Sequence, residues 1–508
     1  MSNKIRIYEN AIEWINTHSV NRMGIAVTSK QKEIYPEVTG YYINTLLVWG
    51  EKELAKSYAK YLCSIQKEDG AWCDPHGSEP YVFDSAQILK GLVGIYSIMP
   101  EVKESILKGC NWIIGNINEE GRLITPSHDA WGNDEKFCSE LVHLYCLTPL
   151  MEAAKIFNKP EYKAKAIKVK NFYINNYKEK ILHFSLLSHF YAYVMEGLID
   201  LGEESIVREA MNNIKAYQNR KGGIPGLKDV KWVCSTGMFQ LALVWYKLGE
   251  LEEGNKIFSY ACSLQNESGG WYGSYSYSVF DKYARGRKKA YYFPKEEISW
   301  ANKYFLDALA YKEKLEFEKI HHIFSDKIDM NDGRYCLVED KIKFEMQKRG
   351  TTISVCDIGC GRGRYLNNLI KKLPENTYYA SDLSEQVMSS INSKVEKVVG
   401  RLTDIPYKDN SFEFVYVCEA LEHAINIEGA YSEIWRITKP EGCFLIIDKP
   451  IEKLGQLEID EWEQWIDDGD IKRLTQQYGG TLEIIKSVPY EEKDDGLFRA
   501  WIIRKSSD

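Results

Sequence analysis

A short pattern recurs along the first part of the chain: a glutamine, three residues, a glycine, one residue and a tryptophan. It stands intact at Gln66, Gly70 and Trp72, and again at Gln265, Gly269 and Trp271. Gln218 and Gly222 make a third copy in which Ile224 replaces the tryptophan, and Gly121 marks a degenerate fourth. The glycines recur about every 50 residues, with one copy eroded near 170. A period of that size means stacked helical units that cannot bury their apolar faces alone. Between the turns, apolar residues recur at three- and four-residue spacing in 42–49, 54–65, 86–98, 106–114, 141–157, 186–201, 206–217, 239–248 and 255–264. Each period therefore holds two amphipathic helices, and Gly50, Gly202 and Gly249 supply C-caps in the links.

The two ends of this region bear on its closure. The chain begins with a single helix of the second kind, 8–17, and the region ends with a single helix of the first kind, 299–311. Joined, they complete a sixth hairpin. The expected fold of 1–320 is an all-α ring of six hairpins, an α/α toroid, with the first helix of each pair inside. An open solenoid is the alternative, and the split sixth hairpin counts against it. The repeats resemble those of the α/α-toroid superfamily that includes terpenoid cyclases and protein prenyltransferases. The cyclase acid motif DxDD and the diphosphate motif DDxxD are both absent from 1–320, so terpene cyclisation is disfavoured.

The starts of the inner helices are polar in register: Glu37 and Tyr41, Asp84 and Gln87, Glu140, His189, Ser235 and Thr236, and Trp300 with Asn302. Taken singly, such residues read as helix caps. Six in register converge on one mouth of a ring, rimmed by Trp72, Trp131, Trp271 and Tyr291. Carboxylates with aromatic platforms suit a carbohydrate or another polyhydroxylated ligand. The expected pocket set is Glu37, Tyr41, Asp84, Gln87, Glu140, His189, Trp72, Trp271, Trp300 and Asn302, with acid–base work falling to Asp84, Glu140 and His189.

At 508 residues the chain exceeds one domain, and 44% hydrophobic with 27% charged residues describes a globular protein. The net charge of −8 argues against a nucleic-acid partner. The cluster Arg285, Arg287, Lys288 and Lys289 reads as a solvated loop. No apolar run reaches the length of a membrane span or a signal peptide. The 12 cysteines lack CxxC pairing, as free thiols in a reducing compartment do. A cytoplasmic protein without a structural metal is expected, with self-association left open.

Residues 321–350 read as a linker and lead-in helix; the adjacent His321 and His322 cannot share a helix face and read as surface residues. Beyond them strand-like and helix-like runs alternate. Strands are expected over 353–357, 377–382, 412–418, 443–448, 482–488 and 498–504, with helices over 365–373, 385–392 and 428–437. This pattern makes a parallel sheet with crossover helices, whose ligands bind at the carboxyl ends of the strands. The last two strands are joined by a tight link, 494–496, and should form an antiparallel hairpin.

Within 351–508, Asp357, Gly359, Cys360, Gly361 and Gly363 form a glycine turn between a strand and a helix. Asp382 ends the second strand, Leu383 follows it, and Thr403 and Asp404 lie in an acidic turn. Cys418, Glu419 and His423 follow the fourth strand. With these motifs the region resembles the class I S-adenosylmethionine-dependent methyltransferases over essentially its whole length. The glycine spacing differs from the GxGxxG of NAD-binding domains. The resemblance implies a Rossmann-like, mostly parallel seven-stranded sheet with S-adenosylmethionine as cofactor. It further implies Asp382 on the ribose hydroxyls and Asp404 near the adenine amino group. Lys439-Pro440-Glu441-Gly442 resembles the family's KPGG turn, with Glu441 in place of a glycine.

Methyl transfer from a sulfonium needs alignment above all. A hydroxyl acceptor would also gain from a base, and a histidine titrating near pH 6.5 suits that role. His423 is the first candidate and Glu419 the second. Trp462, Trp465 and the acidic run 467–470 either flank the acceptor or pack as a helix on the sheet. The expected activity is O-methylation of a small hydroxylated molecule, a sugar or glycan precursor, with the helical region binding or also processing it. The alternatives are an independent carbohydrate hydrolase, lyase or isomerase in the helical region, or a helical module that only binds or oligomerises. A terpenoid substrate is the remote case.

Overall fold

A computed structural model of the chain describes residues 3–126, 139–276, 292–459 and 463–507. Trp131, Tyr291, Trp462 and the basic cluster at 285–289 lie outside the described residues. The chain divides into two units. One comprises Ile7–Leu47 and Lys52–Leu315; the other comprises Glu316–Asp508 with Met1–Arg6 and Val48–Glu51.

The first unit is helical. In chain order its helices are α1 (Asn3–His18), α2 (Pro36–Val48), α3 (Lys52–Ser64), α4 (Val82–Ile95), α5 (Lys103–Gly115), α6 (Thr148–Ile156), α7 (Pro160–Leu182), α8 (Ser188–Asp200), α9 (Glu204–Ile214), α10 (Ser235–Lys247), α11 (Leu251–Cys262) and α12 (Ser299–Ile320). They are of two kinds. Helices α2, α4, α8 and α10 bury almost every residue on all sides. Helices α3, α9 and α11 bury a single apolar stripe, as Leu54, Ala55, Tyr58, Ala59 and Leu62 do in α3. The helix expected over 141–157 is split into a 3₁₀ segment, Glu140–Cys146, and α6, where Pro149 suits a helix start and not a helix interior. Helix α7 escaped the periodicity reading because its lysine-rich sequence carries little apolar repeat.

The repeated turns share one construction. Gly70, Gly121, Gly222 and Gly269 all have φ between 89° and 102°, a region that favours glycine. Their N–H groups donate to the oxygens of Lys67, Asn118, Asn219 and Asn266 in turn. A Cβ at these glycines would lie 2.3 Å from Lys108 O, 3.0 Å from Lys168 O, 2.1 Å from Lys256 O and 2.0 Å from Asn10 O. Each turn thus presses on the backbone of a single-stripe helix, α5, α7, α11 and finally α1. Gln66, Gln218 and Gln265 close their turns by donating to Gly70 O, Gly222 O and Gly269 O at 2.9–3.1 Å. Helix α1 is also tied to later parts of the unit: Trp14 Nε1 donates to Glu297 Oε2 at 2.7 Å, and Gln265 Nε2 to Ile7 O at 3.0 Å.

The second unit is an α/β sheet. Its strands are β1 (Ser354–Ile358), β2 (Thr377–Asp382), β3 (Glu396–Val399), β4 (Phe412–Cys418), β5 (Thr438–Asp448), β6 (Thr481–Ile485) and β7 (Arg499–Arg504), in the order β6-β7-β5-β4-β1-β2-β3. Strands β1 to β5 pair in parallel, and β7 is antiparallel to both β5 and β6. The expected terminal hairpin is present. Strand β3, whose residues are exposed or half-buried, gave no apolar run to read. Helix α13 (Gly333–Arg349) leads in, capped by Asp332 and ended by Gly350 at φ 66°. Helices α14 (Leu366–Lys372), α15 (Ile427–Ile437) and α16 (Asp468–Gln477) follow, so the run 467–470 begins a helix. The helix expected over 385–392 is only a 3₁₀ turn, Val387–Ser390. The strand order reverses between β1 and β4, which opens a crevice at their carboxyl ends.

Candidate active site

Strand β1 runs into the turn Gly359, Cys360, Gly361, Arg362, Gly363, and α14 follows. The three glycines have φ of 69°, 52° and 76°. A Cβ on Gly359 would meet Ala420 Cβ at 2.4 Å, and one on Gly363 would meet Ile391 Cγ1 at 2.6 Å; nothing lies within 4 Å of one on Gly361. Two glycines thus permit close packing, and the middle one presents bare backbone to open space. Gly361 N–H donates to Asp382 Oδ2 at 2.8 Å, and Leu383 N–H donates to Asp382 Oδ1 at 2.7 Å. Burial raises the Asp382 carboxyl above its ordinary range, against the opposing pull of the Gly361, Leu383 and Ser384 N–H groups. Gly400 N–H donates to Asp382 O at 2.9 Å and so draws the 400–404 turn, with buried Thr403 and half-buried Asp404, to the same strand end.

Asp357, Cys360 and Cys418 are buried. Tyr416 OH donates to Asp357 Oδ2 at 2.8 Å, and burial pushes this carboxyl up to about 7. Cys418 Sγ lies 3.0 Å from Tyr365 OH, and burial raises the Cys360 and Cys418 thiols. The described cysteines are free.

At the end of β4, Glu419 takes the left-handed φ of 53°. Its Oε1 accepts from Arg334 Nη1 at 2.8 Å and also from Arg364 Nη2. Arg334 is itself fixed by a bidentate grip of Asp332, at 2.9 and 2.8 Å, and stacks 4.5 Å from the Phe498 ring. Glu419 is therefore engaged by two guanidinium groups. Neither arginine stood out in the sequence, because Arg334 lies outside the motifs and Arg364 reads as one residue of a helix start.

Two residues beyond Leu421, His423 Nε2 lies 3.8 Å from Glu422 Oε1, with the Phe317 ring 5.4 Å away at its edge. Lys449 Nζ grips both oxygens of Glu422, at 2.5 and 2.6 Å, and Glu422 N–H donates to Asp448 Oδ2 at 3.1 Å. Burial raises the Glu422 and Asp448 carboxyls; for Asp448 the Glu422 charge adds to it. Burial opposes the Lys449 charge, yet the neighbouring carboxylates hold its ammonium above the ordinary value. Glu422, His423 and Glu463 bring one oxygen or nitrogen each within 4.8 Å of one another. A histidine beside a carboxylate thus stands at the carboxyl end of β4.

A family model for methyltransferase domains matches residues 356–446, from β1 to β5. Sterol 24-C-methyltransferase of Schizosaccharomyces pombe is 35% identical over 98 residues, which cover 18% of this chain and 26% of that protein. Cycloartenol-C-24-methyltransferase of Arabidopsis thaliana is 33% identical over 98 residues, covering 18% of this chain and 29% of that one. The chain thus spans about a quarter of the length of the curated relatives it matches. Residues 356–446 form a methyltransferase domain. Among solved structures, magnesium protoporphyrin IX methyltransferase of Synechocystis, with bound S-adenosylhomocysteine, is 16% identical. That match covers 34% of this chain and 84% of that one at a TM-score of 0.28.

The cofactor of this methyltransferase domain is S-adenosylmethionine, and the residues fit it. The open face at Gly361 admits a ligand against backbone. The carboxylate of Asp382 keeps lone pairs for hydroxyl donors. Arg334 and Arg364, which both donate to Glu419 Oε1, are the groups that could hold the cofactor's carboxylate.

A second group of site candidates lies in the helical unit. Glu37 and Asp84 are buried near each other; burial raises both, and the Asp84 charge adds to the effect on Glu37, while Asp84 is pushed up to about 7. Tyr35 OH donates to Asp84 Oδ2 at 3.3 Å. Trp300 and Lys303 favour the charged form of Glu37, so α12 reaches the same place. The His189 ring centroid lies 4.4 Å from Tyr193 and 5.9 Å from Trp300. Tyr41, Tyr145, Tyr193 and Tyr304 complete an aromatic wall, with Tyr145 OH 3.0 Å from Tyr304 OH.

His189 is oriented by a relay. Lys247 Nζ donates to Glu196 Oε1 at 3.2 Å, and Gln240 Nε2 donates to Glu196 Oε2 at 3.0 Å. Gln240 Oε1 therefore faces His189 Nδ1, 3.1 Å away, and must accept its proton. Burial drives the imidazole down to about 3, so it is neutral with Nε2 as its lone-pair nitrogen.

Four expected pocket residues stand elsewhere. Trp72 and Trp271 are wedges between helices, donating to Leu62 O and Ala261 O at 2.8 and 2.9 Å. Asn302 Nδ2 braces Ala11 O and Gly269 O, and Glu140 is engaged by Arg122 at 2.6 Å and by Tyr177. Tyr41 of the wall was among the expected residues, but Tyr145, Tyr193 and Tyr304 were not, since single tyrosines in buried helices read as core.

Proposed function

We propose that the chain moves the methyl group of S-adenosylmethionine to an oxygen of a small hydroxylated acceptor, with His423 taking the acceptor proton. Bound cofactor supplies a methyl group on a sulfonium that departs as a neutral thioether. The residues of this chain do the rest. Asp382 would hold the ribose hydroxyls, Arg334 and Arg364 the carboxylate, and the 400–404 turn with Asp404 the adenine edge. His423 accepts the hydroxyl proton at Nε2, and the neighbouring Glu422 carboxylate favours the imidazolium that results. The observation that carries this reading is His423 beside Glu422 at the strand end next to the glycine turn.

Of the helical unit we propose that it is a ring of six hairpins, spanning about 1–320, that binds the same acceptor. Four turns of one construction support it, above all Gly269 pressing on α1 as Gly70 presses on α5. Residues 321–350 then join it to a methyltransferase domain over 351–508.

The relatives named as sterol and cycloartenol methyltransferases favour a second reading, methylation at an alkene carbon of an isoprenoid, in which His423 would take the proton from carbon. One experiment separates the two. The full chain is incubated with cofactor carrying a carbon-13 methyl group and a metabolite extract, and the product is examined by NMR. A methoxy resonance supports oxygen transfer, a C-methyl resonance supports the second reading, and no labelled product rejects both.

A further inference from the structure

Among the buried side-chain atoms of the helical unit that lack a hydrogen-bond partner are Asp84 Oδ1 and Gln87 Oε1, on residues at most 1% exposed. They lie three residues apart on α4 and so share one helix face. Their other atoms are accounted for, Asp84 Oδ2 by Tyr35 OH at 3.3 Å and Gln87 Nε2 by Phe83 O at 3.3 Å. Buried acceptors in native proteins find donors as a rule. Unpaired donors stand in the same wall, Tyr41 Oη and Trp300 Nε1, so a molecule that both donates and accepts would satisfy the two sets together.

We propose that Asp84, Gln87, Glu37 and His189 form a ligand site closed inside the helical unit, and that it takes an uncharged molecule bearing several hydroxyl groups. The chemistry of the surroundings selects that class. Orphaned acceptors require donors, which a hydrocarbon chain lacks. The rings of Tyr193, Tyr41 and Trp300 offer flat apolar faces of the kind on which the C–H face of a sugar or cyclitol rests. Charged ligands are poorly served. The Glu37 and Asp84 carboxyls line the site and disfavour an anion, while of the ammoniums nearby Lys303 is paired with Asp307 at 2.7 Å, Lys247 with Asp200 at 2.8 Å, and Lys90 lies 3.9 Å over the Tyr145 ring. The relay through Gln240 leaves Nε2 of His189 as a further acceptor toward the ring cluster. Asp84, when protonated, adds a donor to the set.

This deepens the acceptor-binding role proposed for the helical unit and rests on that reading. The test is thermal unfolding of the full chain with glucose, galactose, mannose, N-acetylglucosamine and myo-inositol, and in parallel with farnesol and squalene. At least one of the hydroxylated probes should raise the unfolding temperature saturably. Asp84→Leu and, as a milder variant, Gln87→Met should abolish that rise. Both should keep the rise given by S-adenosylhomocysteine, which reports the methyltransferase domain separately. The proposal is overturned by no response to any hydroxylated probe, by a response confined to farnesol or squalene, or by a hydroxylated-probe response that survives both substitutions.

Discussion

Gly361 N–H and Asp382 Oδ2 are 2.8 Å apart although 21 residues separate them in sequence. The bond sets the turn between β1 and α14 against the end of β2, and so aligns bare backbone with a carboxylate. Asp382→Asn should weaken S-adenosylhomocysteine binding about 10- to 100-fold, the range expected for one charge-assisted hydrogen bond. Calorimetric titration measures it. Because burial raises this carboxyl, wild-type affinity should begin to fall, as pH is lowered, already above the usual carboxylate range.

Replacing His423 by alanine should lower kcat roughly 100-fold or more if it removes a general base, with little change in cofactor affinity. The readout that separates catalysis from structure is the pH profile. The wild type should lose rate as His423 protonates, and that limb should vanish in the variant. Glu422→Gln should move the limb to lower pH, since a neutral neighbour favours the imidazolium less.

Stability of the helical unit should depend on Asp84 in a particular direction. Its carboxyl is raised from 3.8 to about 7 in the folded chain, so the folded state binds more protons than the unfolded one between those values. The stabilisation is complete below pH 4 and is lost as pH rises through about 7, by roughly 2–4 kcal/mol. Asp84→Asn should flatten that part of the profile in chemical unfolding curves. An unchanged slope would place the titrating group elsewhere, the buried neighbour Glu37 being the next candidate.

Glu441 occupies the left-handed region at φ 59°, where the KPGG turn it resembles has glycine. Glu441→Gly should raise stability by about 0.5–1 kcal/mol, since relief of the backbone strain exceeds the entropy glycine gains on unfolding. Equilibrium denaturation tests the sign.

Gln66 donates to both Gly70 O and Ser105 O at 3.0 Å. Gln66→Ala should cost about 1–2 kcal/mol, because two partly buried carbonyls lose their donor. A smaller loss would show that water takes its place.

The parts legible in the sequence are those where backbone geometry demands one residue type. Gly70 and Gly269 could be read as turns because no other residue tolerates their φ and the nearby helix backbone. Gly359, Gly361 and Gly363 could be read as a ligand turn for the same reason. Asp382 was legible as the end of a strand, and the resemblance to the methyltransferase motifs singled it out. Trp72 misled because an indole beside a loop looks like a binding platform, and only the donation to Leu62 O shows it to be a wedge. Arg334, Tyr193 and Gln240 were illegible because their roles come from residues far along the chain. Helix α7 was missed because its long lysine side chains mask a narrow buried stripe of Tyr162, Ala166, Val169 and Tyr173.

The carboxylate of Glu419 already sits between the two guanidinium groups suited to the cofactor's own carboxylate. With the cofactor's carboxylate seated as proposed, loading would be a displacement in which one anion evicts another. Its rate should be limited by the departure of Glu419 and quickened by salt, which loosens the existing pair. The same salt should weaken the loaded complex, so speed and affinity would move in opposite directions with ionic strength. After each turnover the departing product would meet a competitor held permanently at hand, and the enzyme would carry its own means of release.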